Sequence, residues 1–224
     1  MDDLPLGVEA AWPFYVPASV LGPRPKPLID PFGESIGSRL LVDPLLAALL
    51  FVPLLPLLAL IAFAIILEGK GPVLYSQERV GFRGRPFRVW KFRTMYTDAE
   101  KDGPVICKNY KDERITPLGY FLRKTKLDEL PQLWNVVRGE MSLVGPRPER
   151  PVFHEKNAQE VSRWTERIAV RPGITGLAQI SKTVSHDPVE KIELDLEYIE
   201  NRSFWLDVGI LYATMAIVIR LRQF

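Results

Sequence analysis

PLLAALLFVPLLPLLALIAFAIIL, residues 44–67, decides the fold of this 224-residue chain. These 24 residues carry no charge, and about 20 apolar residues suffice to cross the hydrocarbon of a bilayer as a helix. Pro53 and Pro56 fall near the middle, where a proline removes a backbone donor and bends a helix. Arg39 and Asp43 stand before the stretch, Glu68 and Lys70 after it, so both ends have interfacial character. The segment that follows is strongly basic, and basic flanks stay cytoplasmic. Two topologies satisfy these facts: a single span with residues 1–38 outside, or a bent, re-entrant helix with both ends on the cytoplasmic side.

Charge is unevenly spread around this stretch. Net charge is only +2, yet Lys70–Lys126 holds 14 Lys/Arg against 6 Asp/Glu, leaving the remainder acidic. A local surplus of +8 suits an anionic partner such as a phosphate or a lipid headgroup. Nucleic acid would also fit basic residues interleaved with aromatics, but not beside 24 uncharged apolar residues. Cys107 is the single cysteine, and His154 and His186 are the two histidines. This composition rules out a disulfide framework and argues against thiolate zinc sites and Ser-His-Asp chemistry. Carboxylates and cations are left to carry any reaction. Residues 1–37 are rich in proline and lack the basic start and apolar core of a secretory signal. An irregular extension is expected there, with Trp12, Phe14 and Tyr15 able to rest on a membrane surface.

Downstream, Val73–Tyr75 and Pro86–Arg93 alternate apolar with polar around Gly81-Phe82-Arg83-Gly84, the pattern of a β-hairpin. Alternation places Lys91 and Arg93 on one face and Arg88, Trp90 and Phe92 on the other. Residues 97–113 read as a polar loop. Leu130, Leu133, Trp134 and Val137 have helical spacing, ended by Gly139. An amphipathic helix is expected over 151–168 and a polar one over 187–200. Ser203–Ile219 is apolar but holds Asp207 in its first turn, which favours an interfacial helix over a second span.

The stretch Arg123-Lys124-Thr125-Lys126-Leu127-Asp128-Glu129-Leu130-Pro131 carries the chemistry. Proline is tolerated in the first turn of a helix, which puts Asp128 and Glu129 at a helix N-terminus, where negative charge is favoured. Capping alone would explain one carboxylate there. Three cations within five residues go further, because they would neutralise a phosphate approaching a carboxylate. Adjacent carboxylates point to different sides, so one can attack phosphorus while the other binds a cation or handles a proton. Mg²⁺, held by Asp128 and Glu129 together with phosphate oxygens, is the expected cofactor. Val144–Pro148 and Val170–Gly176 are two Pro/Gly turns, each presenting an arginine, Arg147 and Arg171, suited to phosphate.

Five stretches, in this order, resemble the bacterial sugar transferases, the monotopic polyprenyl-phosphate phosphoglycosyl transferases: Gln77–Gly81, Lys91–Met95, Leu127–Val136, Met141–Pro148 and Arg171–Gly176. The resemblance runs from about Ser38 to the C-terminus, and the length is that of the small subclass. It implies a mainly α fold with a small β-hairpin element (α+β) and the domain plan 1–37 extension, 38–69 re-entrant membrane helix, 70–224 cytoplasmic-face catalytic domain. It implies Asp128 as the nucleophile on a UDP-sugar, Glu129 as its partner in proton handling or Mg²⁺ binding, release of UMP, and transfer to polyprenyl phosphate. Lys91, Arg93, Arg123, Arg147, Arg171, Gln179, Asp195 and Asp207 are the implied substrate-binding set. Localisation would be the bacterial inner membrane, with the bilayer itself a partner and no nucleic acid. The resemblance favours the re-entrant topology, since Pro56 lies 13 residues after Asp43. Two departures stand out: Leu55 replaces the serine that usually precedes this proline, and Gln179-Ile180-Ser181-Lys182-Thr183 stands where many members read Gln-Val-x-Gly-Arg. A lipid-headgroup transferase and a non-catalytic membrane platform are the alternatives, and the intact Asp128-Glu129 pair speaks against the second. Sugar, pathway and oligomeric state are not set by the sequence.

Overall fold

The computed structural model describes residues 36–101, 112–181 and 187–219. The extension before residue 36, most of the loop expected over 97–113, Cys107, His186, Lys182, Thr183 and the Arg220–Arg222 end lie outside the described residues. The apolar stretch forms one long helix, α1 (Ile36–Glu68), through Pro44, Pro53 and Pro56. Its apolar side chains are largely uncovered: Leu45 is 71 %, Leu49 70 % and Leu67 70 % exposed. The described part of the helix is long and apolar enough to cross a membrane.

One side of α1 is packed along its length. Ala47, with Phe51 and Leu54, joins the larger core around Val136, Met141, Trp164 and Tyr198. Ile61 and Ile65 belong to a second cluster with Phe92 and Leu122. Polar contacts fasten both ends. Ser142 Oγ donates to Asp43 at the start of the apolar run. At its end, Glu68 Oε1 accepts from the Leu118 backbone N–H at 2.7 Å.

The expected hairpin is β1 (Leu74–Val80) paired antiparallel with β2 (Pro86–Phe92). The alternation of its side chains decides what it does. Arg93, just past β2, sends its guanidinium to the carbonyls of Ile65, Gly69 and Lys70 at 2.7–3.0 Å. Ile65 lies in the last turn of α1, whose carbonyls a helix end leaves without intrahelical donors, and Gly69 and Lys70 follow directly, so Arg93 caps α1 and fixes the chain that leaves it.

α2 (Pro117–Lys124) begins at Thr116, whose Oγ1 accepts from Gly119 N–H, with Pro117 in the first helical position. It lies so close to the chain after β2 that a Cβ on Gly119 would sit 2.1 Å from the Thr94 carbonyl oxygen. α3 (Gln132–Val137) follows Pro131 and ends at Gly139, whose φ is +73°. Trp134 of α3 stacks at 6.0 Å on Phe51 of α1, and Asn135 ties α3 to β2 through Trp90 N–H and the Arg88 carbonyl.

β3 (Ser142–Val144) and β4 (Gly173–Thr175) pair in parallel, which alternation in such short segments does not announce. A Cβ on Gly173 would meet Gly145 N at 2.1 Å, so glycine is required for this approach. The helix expected over 151–168 is broken: α4 (Pro151–Glu160) stops, Arg163 takes a left-handed φ of 61°, and a 3-10 turn runs Trp164–Ala169. Arg163 is fixed there by Glu166 and Glu200. α5 (Leu177–Ile180), α6 (Pro188–Glu200) and α7 (Phe204–Ile219) complete the chain. α7 keeps Trp205 and Tyr212 exposed and buries Ile210.

Candidate active site

Asp128 and Glu129 do not lie in the first turn of α3. They sit one turn earlier, in a separate 3-10 turn, Leu127–Glu129, and Pro131 is the N-cap of α3 rather than inside it. The turn follows the end of α2 directly, and its start is a left-handed Lys126 (φ 60°, ψ 13°). The two adjacent carboxylates are thereby given different surroundings.

Glu129 is gripped. Lys91 Nζ from β2 and Arg147 Nη2 from the Gly145–Pro148 turn both donate to its Oε1 at 2.6 Å. Burial works to raise its carboxyl, but the charges of Arg147 and Lys91 outweigh burial and hold it well below the usual carboxylate range. In return, Glu129 raises Arg147 above its ordinary value. Burial lowers Lys91 against the opposing pull of Glu129.

Asp128 is buried, and its Oδ1 has no hydrogen-bond partner. Burial and then the charge of Glu129 push its carboxyl up to about 6, against the opposing charges of Lys91, Lys126 and Arg123. One carboxylate is therefore permanently charged and occupied, while its neighbour ionises near neutrality and keeps a lone pair unengaged. Environments that drive two carboxyls apart in this way separate their roles. Asp128 has the properties of a nucleophile toward an electrophilic phosphorus. Lys91, Arg147, Arg123 and Lys126 outnumber the two carboxylates and favour an anionic ligand.

A divalent ion can be tested against this donor set. Among the described residues no group of three or more His, Cys, Asp and Glu side chains could hold a metal. Mg²⁺ does not need such a group, because it binds through one or two carboxylates plus substrate phosphates. The unpartnered Asp128 Oδ1 fits that use.

The other implied residues make contacts of different kinds. Arg123 Nε donates to Thr94 Oγ1 at 2.8 Å, and its charge acts on Asp128. Arg93 caps α1, as described above. Arg171 runs beside Gly139, its guanidinium nitrogens 3.6–3.9 Å from where a Cβ there would sit. Gln179 Nε2 donates to the Ile174 carbonyl, and Asp207 accepts from Tyr198 Oη at 2.8 Å. Asp195, 2 % exposed, pairs with Arg167 at 2.6 Å.

That last pair belongs to a buried network that spacing in the sequence does not reveal. Arg167 also donates to the Arg147 carbonyl at 2.9 Å, and Arg79 donates to the Pro148 carbonyl at 3.1 Å. Glu149 receives Lys191. The turn carrying Arg147 is thus fixed from behind by two arginines. Glu149, directly after the Pro-Arg-Pro turn, was the one local signal of this network in the sequence.

The fold is a helix of membrane-crossing length packed against a small α+β body, and the site is a carboxylate pair set among cations. The chain belongs to the bacterial sugar transferase family, which it matches over residues 34–221. It is 44 % identical over 188 residues to the UDP-glucose:undecaprenyl-phosphate glucose-1-phosphate transferase of Klebsiella pneumoniae, covering 82 % of this chain and 40 % of that protein. It is 42 % identical over 179 residues to the UDP-N-acetylgalactosamine-undecaprenyl-phosphate N-acetylgalactosaminephosphotransferase of Aeromonas hydrophila, 78 % of this chain and 42 % of that one. A UDP-glucose:undecaprenyl-phosphate glucose-1-phosphate transferase of Caulobacter vibrioides is 40 % identical over 201 residues, 87 % of this chain and 72 % of the relative. The chain spans about two fifths of the Klebsiella and Aeromonas proteins.

Proposed function

We propose that this protein transfers a sugar-1-phosphate from a UDP-sugar to undecaprenyl phosphate at the cytoplasmic face of the bacterial inner membrane, through a covalent intermediate on Asp128. The observation that carries the reading is the division of labour in the dyad: Glu129 locked by Lys91 and Arg147, Asp128 buried with Oδ1 unengaged.

In the first step the Asp128 carboxylate attacks the sugar-bearing phosphorus of the donor. An acyl-phosphate bond forms between an Asp128 carboxylate oxygen and phosphorus, the bond from phosphorus to the bridging oxygen breaks, and UMP leaves with that oxygen. In the second step a phosphate oxygen of the lipid attacks the same phosphorus. The acyl-phosphate bond breaks, Asp128 regains its carboxylate, and a polyprenyl-diphospho-sugar is formed. No proton need move at Asp128, which is ionised above about pH 6. Arg147 and Lys91 hold Glu129, orient the turn beside Asp128 and add positive charge where phosphate oxygens arrive. Mg²⁺ held by Asp128 and Glu129 would withdraw charge from the phosphate oxygens.

The re-entrant topology is supported by the two fastenings of α1. Asp43 and Glu68, at opposite ends of the apolar run, are both bonded to the same body, and a spanning helix would have to carry one of these polar contacts across the hydrocarbon. The exposed apolar faces of α1 and α7 would then share one leaflet. Glucose and N-acetylgalactosamine both occur among the relatives' names at similar identity, so identity does not choose the sugar.

The test is incubation with a panel of UDP-sugars carrying labelled sugar, without acceptor, followed by peptide mass analysis. The expected result is one donor yielding UMP and a sugar-phosphate adduct on Asp128, discharged by undecaprenyl phosphate. UMP release that needs the acceptor from the outset, with Asp128→Asn still active, would overturn the covalent route.

A further inference from the structure

The dyad and its cations suit the charged part of a nucleotide-sugar, and a neutral base needs a different partner. Bases are held by stacking on aromatic rings, which any base accepts because each has a π-face. Among the described residues Tyr75, 43 % exposed, is the one exposed aromatic side chain carried by a strand. The hairpin register sets it directly across from Lys91, and residues paired in this way share a face with their Cβ atoms about 5 Å apart. Lys91 in turn reaches Glu129 at 2.6 Å. Ring and dyad therefore stand on either side of one lysine, a separation that a ribose and a diphosphate bridge.

Tyr75 is also held in place. Arg79, Gln77 and Tyr75 are alternate residues of β1 and lie on one face. Arg79 Nη2 donates to Gln77 Oε1 at 2.6 Å, and Gln77 Nε2 donates to Tyr75 Oη at 2.8 Å. Arg79 Nη1 donates to the Pro148 carbonyl at 3.1 Å, next to Arg147. The ladder thus runs from the turn that grips Glu129 to the phenol of Tyr75. It restrains an exposed ring before any ligand arrives, which lowers the ordering cost of binding. It also gives a use to Gln77–Gly81, whose glutamine and arginine take no part in the reaction steps above.

We propose that Tyr75 is the platform on which the uracil of the donor stacks, with Gln77 beside it to meet the edge of the base. The proposal rests on the transferase reading of the site, and it adds the residues that tell UDP from a bare diphosphate. Gln77 Nε2 carries a second hydrogen besides the one given to Tyr75, and uracil offers carbonyl oxygens to receive it. Tyrosines also gather at membrane surfaces, and the experiment separates the two uses.

Tyr75→Ala and Tyr75→Phe are compared with the parent as full chains in nanodiscs. UDP is the probe for binding, pyrophosphate the probe that lacks the base, and melting temperature reports the fold. Tyr75→Ala is expected to bind UDP about tenfold more weakly, to keep the parent's affinity for pyrophosphate and to melt near the parent. KM for the UDP-sugar should rise more than kcat falls. Tyr75→Phe keeps the ring and should keep most of the UDP affinity. Parental UDP affinity in Tyr75→Ala would overturn the proposal. So would an equal loss of UDP and pyrophosphate binding, which would make Tyr75 a support for the dyad. Loss of binding to phosphatidylglycerol vesicles with UDP affinity kept would overturn it as well, making Tyr75 a membrane contact. These outcomes are separate from the transferase reading: a parent that binds UDP yet releases UMP from no UDP-sugar sinks that reading, and the comparison of UDP with pyrophosphate still decides the role of Tyr75.

Discussion

Replacing Asp128 by asparagine should remove activity and, at the same time, make the protein more stable. The carboxyl is buried and ionises near pH 6 rather than at its ordinary 3.8. At 1.36 kcal/mol per unit of displacement, holding it ionised in the folded state at pH 7.5 is unfavourable by about 3 kcal/mol. The sign follows from proton binding. Between pH 3.8 and about 6 the folded protein binds a proton at this site that the unfolded chain has released, so stability falls as pH rises through that window and the whole penalty is present above it. Asparagine is neutral throughout and escapes it. For a chain of this size 1 kcal/mol corresponds to roughly 2–4 °C, so the variant should melt about 6–12 °C above the parent at pH 7.5. The gap should close as pH is lowered toward 4. Melting both proteins in nanodiscs across pH 4–8 checks this, with UMP release measured alongside. A variant that melts at or below the parent at pH 7.5, or a gap that does not change with pH, would refute the claim that Asp128 is held ionised against its surroundings.

Glu129→Gln leaves Lys91 and Arg147 partly buried without their anion, a loss of about 3 kcal/mol, visible as a lower melting temperature. Because the charge of Glu129 raises Asp128, any residual activity should show its acid limb at lower pH than the parent. Arg93→Ala uncovers the Ile65 carbonyl in the last turn of α1 and the Gly69 and Lys70 carbonyls just after it, and should destabilise by about 3 kcal/mol. Arg93→Lys should recover only part of this, since a point donor does not span Ile65, Gly69 and Lys70; limited proteolysis near residue 70 reports the frayed end. Gly119→Ala drives a Cβ into the Thr94 carbonyl and should cost about 3 kcal/mol or the folded state itself, read as loss of soluble yield in detergent. Activity of the parent should vanish with EDTA and return with added Mg²⁺.

The apolar run 44–67 was legible because 24 consecutive uncharged residues make one helix of membrane-crossing length, and the hairpin because Pro86–Arg93 alternates cleanly. The dyad was legible from three cations placed around two carboxylates. What escaped the sequence depends on tertiary contact. Period-two alternation put Lys91 and Arg93 on one face, but only packing shows that the first reaches Glu129 and the second the end of α1. The break after Glu160 is not marked by proline or glycine; Val161 is extended and Arg163 left-handed, with Arg163 paired to Glu166 and Glu200. β3 and β4 are three residues each, too short for a pattern, and their glycines read simply as turns. Asp195, one of the implied site acids, is a buried partner of Arg167 behind the turn that carries Arg147, a placement that depends on packing and not on residue type.

Lys91 and Arg93 are neighbours on one side of the same extended chain, about 7 Å apart along it. One grips the dyad and the other grips the end of the apolar helix. On the proposed reading, with that helix seated in the leaflet, Asp128 would have a set altitude above the hydrocarbon, fixed by one residue of β2 and the residue just after it. The protein would therefore sort acceptors by the height at which they carry their phosphate, with little regard for how far their tails extend below.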